Sequence, residues 1–254
     1  MAGAARKAIN PEAKTALITG GAHRVGKAVT LALARAGANV AINYHSSAQA
    51  ASTTASEAEA LGVRALPLHA DVSDSTQVTD MVTHAERDLG PVGILINAAS
   101  FFRKTPLPTD DLTDWQRVTD TLVHGAFQCA NAVAPAMQTA GDGVIINIVD
   151  LMAWQPRRSF AAHSVGKAAL LALTRQLAVD LAPTVRVNAV APGPVLSPEH
   201  YSEETKERIA ARTLLKRWGS PQDVARAVLF LVESDYITGE HITVDGGERY
   251  GSNQ

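Results

Sequence analysis

The sequence predicts an α/β protein: a single domain whose doubly wound, mostly parallel sheet of seven strands carries helices on both faces. Three observations predict it. Short β-rich runs alternate with longer helical patterns along the 254 residues, which is how successive βαβ units read. The runs are continuously apolar, as strands covered on both faces must be. No Pro/Ser-rich linker and no internal repeat divides the chain, so a single domain is the economical reading.

The strands, in order, are "TALIT", "NVAINY", "RALPL", "GILIN", "GVIINIV", "VRVNAV" and "HITV". Between them lie helices such as "VGKAVTLALARAG" and "STQVTDMVTHAERDLG", which close on Gly37 and Gly90. Glycine tolerates the left-handed conformation just past a helix end. Residues 1–13 carry Arg6 and Lys7 but no apolar core of signal-peptide length, and they read as a flexible tail ahead of a domain at 14–254. The insert "APGPVLSPEHYSEETKERIAAR" breaks the alternation with three prolines. It is the candidate for a mobile lid over a substrate, at about 192–215.

Composition narrows the function classes. A net charge of −2 makes no case for a nucleic-acid or membrane surface. One cysteine, Cys129, leaves no internal disulfide and fits a reducing compartment, so the expected location is cytoplasmic. No segment approaches the roughly 20 apolar residues that span a bilayer. The histidines, among them His23, His45 and His124, show no metal-ligand spacing, and no metal is expected.

After the first strand comes "TGGAHRVGKA", with Gly20, Gly21 and Gly26 around Arg24 and Val25. A strand, a glycine turn and a helix N-terminus together make a phosphate cradle. The glycines let backbone approach a pyrophosphate, and the helix dipole favours its charge. The second strand ends "INYHSS", where an NAD site would put an Asp or Glu for the ribose 2′-hydroxyl. Tyr44, His45, Ser46 and Ser47 stand there instead. With Arg24 they suit a 2′-phosphate, so the expected cofactor is NADP(H).

These residues resemble the short-chain dehydrogenase/reductase family over nearly the whole chain. "TGGAHRVG" is similar to its cofactor turn, "HADVSD" to its adenine-contacting segment (Asp71, Val72), and "ILINAAS" to its fourth-strand motif (Asn97, Ala98, Ala99). "VRVNAVAPGPV" resembles the segment that lines the nicotinamide (Pro192, Gly193, Val195), and "ITGEHITVDGG" the last strand. The resemblance implies a Rossmann-like seven-stranded sheet, a small-molecule substrate and a homo-oligomer, dimer or tetramer. In detail the chain resembles pteridine reductases: "INAASFF" carries Phe101, expected to stack on a pterin, and Asp150 stands where most of the family has serine.

One position departs from that pattern. The family's active helix reads Tyr-x-x-x-Lys, and here it reads "HSVGK", with His163 thirteen residues after Asp150 and four before Lys167. The asparagine that supports a proton relay in the family falls near Leu122. An imidazole nitrogen ends roughly 2 Å short of a phenolic oxygen, so a bridging water would be needed. Histidine nonetheless titrates where an acid–base catalyst works best. A dihydropterin C=N bond is basic enough to take its proton from water or from Asp150, and Tyr201 on the lid is a further candidate acid. The expectation is an NADPH-dependent reductase of a pterin-like C=N bond, with Lys167 on the nicotinamide ribose and Asp150 and His163 handling protons. The alternatives are a carbonyl reductase of small ketones and a non-catalytic NADP(H)-binding protein in which His163 is packing.

Overall fold

A computed structural model describes residues 9–251. Along each strand, alternate side chains enter one of two apolar layers. In β1 (Thr15–Thr19) Ala16 and Ile18 face one layer and Leu17 the other. The same parity holds for Val40 and Ile42 against Ala41 in β2 (Asn39–Tyr44), and for Ile94 and Ile96 against Leu95 in β4 (Val92–Asn97). Both faces are dry, so the period-2 signal disappears from the sequence and the run becomes uniformly apolar.

The sheet is completed by β3 (Ala65–His69), β5 (Gly143–Ile148), β6 (Val185–Pro192) and β7 (His241–Val244). The strand order is β3-β2-β1-β4-β5-β6-β7. Every pairing is parallel. One layer of helices contains α1 (Arg24–Arg35), α2 (Ala48–Glu59) and α8 (Pro221–Glu233); the opposite layer contains α3 (Ser75–Leu89), α5 (Gly125–Ala140) and α6 (Ala161–Asp180). The sequence order reverses direction between β1 and β4. In a sheet of this kind that reversal opens a crevice at the carboxyl ends of the strands, where ligands bind.

Helix ends follow the glycines: Gly37 and Gly90 adopt φ of 88° and 96° after α1 and α3. Three shorter helices complete the chain, α4 (Thr113–Thr119), α7 (Glu203–Arg212) and α9 (Glu248–Gly251), and α4 contributes Asp114 and Arg117 to the crevice. Between α4 and α5 the chain widens into one π-turn at 120–124. It carries Leu122, which is buried against Val118 and Ala162. The position where the resemblance expects a relay asparagine therefore holds an apolar packing residue.

Within the segment read as a tail, residues 1–8 lie outside the described residues. The remainder is not loose: Ile9 is buried in the α1/α2/α8 layer, and the Ala13 amide donates to the Gly37 carbonyl at 2.9 Å. Burying one isoleucine gains about 2 kcal/mol, enough to hold a short segment against its entropy.

Candidate active site and cofactor cleft

The crevice is organised by backbone clamps. The Thr19 hydroxyl accepts from the amides of Ala98 and Ala99 at 3.0 and 3.1 Å, tying the end of β1 to the end of β4. Asn43 at the end of β2 accepts from the Gly20 amide through Oδ1 and donates from Nδ2 to the Ala70 carbonyl. Gly20 has φ +62°, and a Cβ on Gly26 would lie 2.1 Å from the Gly20 carbonyl oxygen. Only hydrogen fits at Gly26, which brings the N-terminus of α1 against the turn. Arg24 opens that helix in a left-handed conformation at φ +54°, a cost of order 1–2 kcal/mol for a residue with a side chain.

A cavity of about 1130 Å³ runs from this turn to the amino end of α6. On its cofactor side it is lined by Gly20, Arg24, Val25, Ala98 and, from the end of β6, Pro192, Gly193 and Val195. A smaller cavity of about 250 Å³ adjoins it, lined by Tyr44, His45, Ser46 and Ser47 with Asp71 and Val72 opposite and Ala99 between. The residues expected at a dinucleotide are thus together, with one exception. Asn97 is buried in the sheet, donating to the Asn147 side chain at 2.9 Å and reaching neither cavity.

At the far end of the large cavity stand Asp150, His163 and Lys167. His163 and Lys167 lie one turn apart on α6, so they project from one face. The amino end of that helix is capped from outside: the Ala162 amide donates to the Thr105 hydroxyl at 2.9 Å, and the Thr105 amide to the Ser159 carbonyl at 2.7 Å. Lys167 is buried, its Nζ donating to the Ile148 carbonyl at 2.6 Å. Asp150 caps a 3₁₀ turn at Leu151–Ala153, accepting from the Met152 amide through Oδ1 at 2.8 Å. Its Oδ2 is 3.6 Å from His163 Nε2, an ion-pair distance and too long for a hydrogen bond. Both nitrogens of the buried imidazole lack a hydrogen-bond partner among the described residues.

Burial is the largest influence on each of these three groups. It drives the Lys167 ammonium down to about 8, with Asp150 opposing. It lowers His163 below the ordinary imidazole range, against the pull of Asp150 and with help from Lys167 and Arg157. It would raise the Asp150 carboxyl, but His163, the Met152 amide and Lys167 together hold it below the usual carboxylate range. At neutral pH the set is an ionised carboxylate, a neutral imidazole and an ammonium, a donor and acceptor array able to pass a proton to a reacting atom.

The aromatic expectation needs correction. Phe101 faces the smaller cavity, with the Arg117 Cζ 4.2 Å from its ring centroid. The large cavity takes Phe102, stacked on Phe160 at 4.8 Å and set edge-on to His163 at 4.7 Å. Once β4 ends, no sheet register dictates which of two consecutive phenylalanines faces which side, and Phe101 packs beside Val118, Leu122 and Ala162. Phe160 was not foreseen either: it stands just ahead of α6 in a non-helical conformation, φ −126° and ψ 41°, where helix spacing gives no signal. Tyr201 does line the cavity, beside His200. Exposed Arg103 and Lys104 at the mouth carried no sequence signal.

With this geometry in view, comparison places the chain. Residues 20–248 match the family described as enoyl-(acyl carrier protein) reductase. The chain belongs to that family, within the short-chain dehydrogenase/reductase oxidoreductases. It is 34% identical to the 3-oxoacyl-[acyl-carrier-protein] reductase FabG of Staphylococcus epidermidis over 239 residues, 92% of this chain and 98% of that protein. Among solved structures it resembles a short-chain type dehydrogenase/reductase from Mycobacterium marinum, with 32% identity, a TM-score of 0.87, and 95% and 97% of the two chains covered. It also resembles a blue fluorescent protein from a metagenomic library in complex with NADPH, at 35% identity and a TM-score of 0.85, over 94% and 99% of the chains.

Proposed function

We propose that the chain is an NADPH-dependent reductase of a pterin-like C=N bond, with Asp150 and His163 managing protons beside Lys167. The observation that carries the reading is the buried His163 imidazole, both nitrogens without a hydrogen-bond partner among the described residues, at the end of the large cavity with the Asp150 carboxylate 3.6 Å away.

The residues fit the cofactor. Gly26 lets the α1 N-terminus close on the Gly20 turn, and that helix end would take the pyrophosphate. Tyr44, His45, Ser46 and Ser47 offer donors to a 2′-phosphate at the end of β2, while Arg24, expected beside them, lines the large cavity instead. Lys167 holds the nicotinamide ribose, and Pro192, Gly193 and Val195 flank the nicotinamide. When bound, the dinucleotide supplies hydride. The exposed Phe102 ring, supported by Phe160, gives a flat substrate a face to lie on, and Tyr201 with its loop closes above it.

A ketone becomes an alkoxide on hydride attack and needs a strong donor at hand. An imine is more basic and tolerates a weaker one, which favours C=N over C=O where the family's tyrosine position holds histidine. The second reading, a carbonyl reductase, is favoured by the 34% identity to a 3-oxoacyl reductase. A homo-oligomer, dimer or tetramer, belongs to the first reading as what the family resemblance implies.

The test is NADPH oxidation with dihydrobiopterin or dihydrofolate and, separately, with small ketones, for the native chain and His163→Tyr from pH 5 to 8. Turnover of dihydropterin by the native chain, declining as the imidazole loses its proton, is the expected result. Activity on ketones alone selects the carbonyl reductase. Activity only in the tyrosine variant makes the native chain a cofactor-binding protein that has given up the reaction.

A further inference from the structure

The smaller cavity holds a charge that the cofactor reading leaves unused. Arg117, on α4, lines it across from the loops that follow β2 and β3. Its guanidinium rests on Phe101 at 4.2 Å from the ring centroid, and Arg103 approaches the same ring at 5.4 Å. A planar guanidinium seated on an aromatic face keeps its outer face free and loses little further freedom when a second flat group stacks there.

The neighbouring groups indicate what that second group is. Asp71 lines the same cavity. Burial raises its carboxyl, but Ser73, then His45, then Arg117 hold it below the usual range. An ionised carboxylate accepts from an amino group. A flat cation and a fixed acceptor in one small cavity therefore suit a planar base bearing an exocyclic amine. We propose that Arg117 is a specificity-determining residue for the adenine of the dinucleotide, stacking on the purine while Phe101 backs its guanidinium. The proposal rests on the reading of the crevice as a dinucleotide site.

Binding tests it without turnover. Dissociation constants are measured for NADPH, NADH and reduced nicotinamide mononucleotide, with the native chain, Arg117→Leu and Arg117→Lys, alongside the melting temperature of each. In Arg117→Leu both dinucleotides weaken about tenfold, the value of one cation–π contact, and the mononucleotide is unchanged. Arg117→Lys, which keeps the charge without the flat face, falls between. Loss confined to NADPH would make Arg117 a phosphate ligand and overturn the adenine assignment. Equal loss on all three ligands, or on none, would reduce Arg117 to support for Phe101. If the native chain binds neither dinucleotide, the cofactor reading itself falls, and this proposal with it.

Discussion

At the residue scale the decisive side chains are buried ionisable groups that a core built for stability alone would not keep. Lys167 is the clearest. Its descent from 10.5 to about 8 corresponds to roughly 3 kcal/mol of unfavourable burial at neutral pH, against about 2 kcal/mol for a charged hydrogen bond to the Ile148 carbonyl. Lys167→Met, which keeps the volume and drops the charge, should therefore melt no lower than the native chain at pH 7. On the proposal that Lys167 holds the nicotinamide ribose, the variant's reductase turnover should fall by about 10² or more. Thermal melts and a steady-state assay on the same preparation check both parts; a lower melting temperature would mean that Lys167 serves the fold. His163 is legible in the sequence as a departure, yet its edge-on contact with Phe102 is not. That contact depends on the path of a loop, which no periodicity encodes.

At the element scale, the long elements were legible and the short ones were not. Strands with both faces covered announce themselves as apolar runs, and helices of 12 to 20 residues ending on Gly37 or on an amphipathic stripe leave a period. The π-turn at 120–124 and the 3₁₀ turn carrying Asp150 have no such signature. Their geometry comes from what they pack against. The same holds for the order of Phe101 and Phe102, and for Ile9, whose burial depends on α1, α2 and α8 being in place. The loop from β4 to α4 gains its order through Thr105, which caps α6 and runs beside Phe160. Thr105→Val keeps the shape and removes the acceptor of the Ala162 amide. It should cost about 1 kcal/mol of stability and, by loosening the Phe102–Phe160 wall, raise the substrate KM more than it lowers kcat. Denaturant unfolding measures the first and a saturation curve the second. An unchanged KM would detach the cap from the substrate wall.

At the scale of the whole molecule, the three site groups act on stability in one direction. His163 is depressed in the folded chain, so below about 6.5 the unfolded chain binds a proton that the native one refuses, and stability falls as pH falls. Asp150, also depressed, contributes stability above 3.8 that is lost as pH drops through its folded value. Lys167 binds its proton less readily in the native state between about 8 and 10.5, so stability rises with pH across that window. Each such proton is worth about 1.4 kcal/mol per pH unit inside its window. The whole-chain profile also carries the other shifted groups, Asp71, Asp223 and His241 among them, so the useful quantity is a difference between two proteins. The stability gap between Lys167→Met and the native chain should be largest below pH 8 and shrink towards pH 10.5, where the native lysine is neutral when folded and half-neutral when unfolded. Melting curves at half-unit steps from pH 6 to 10.5 read that gap directly. A gap independent of pH would mean that the ammonium is not destabilised by its burial, and the argument that this fold gives up stability to keep a cation at its crevice would fail with it.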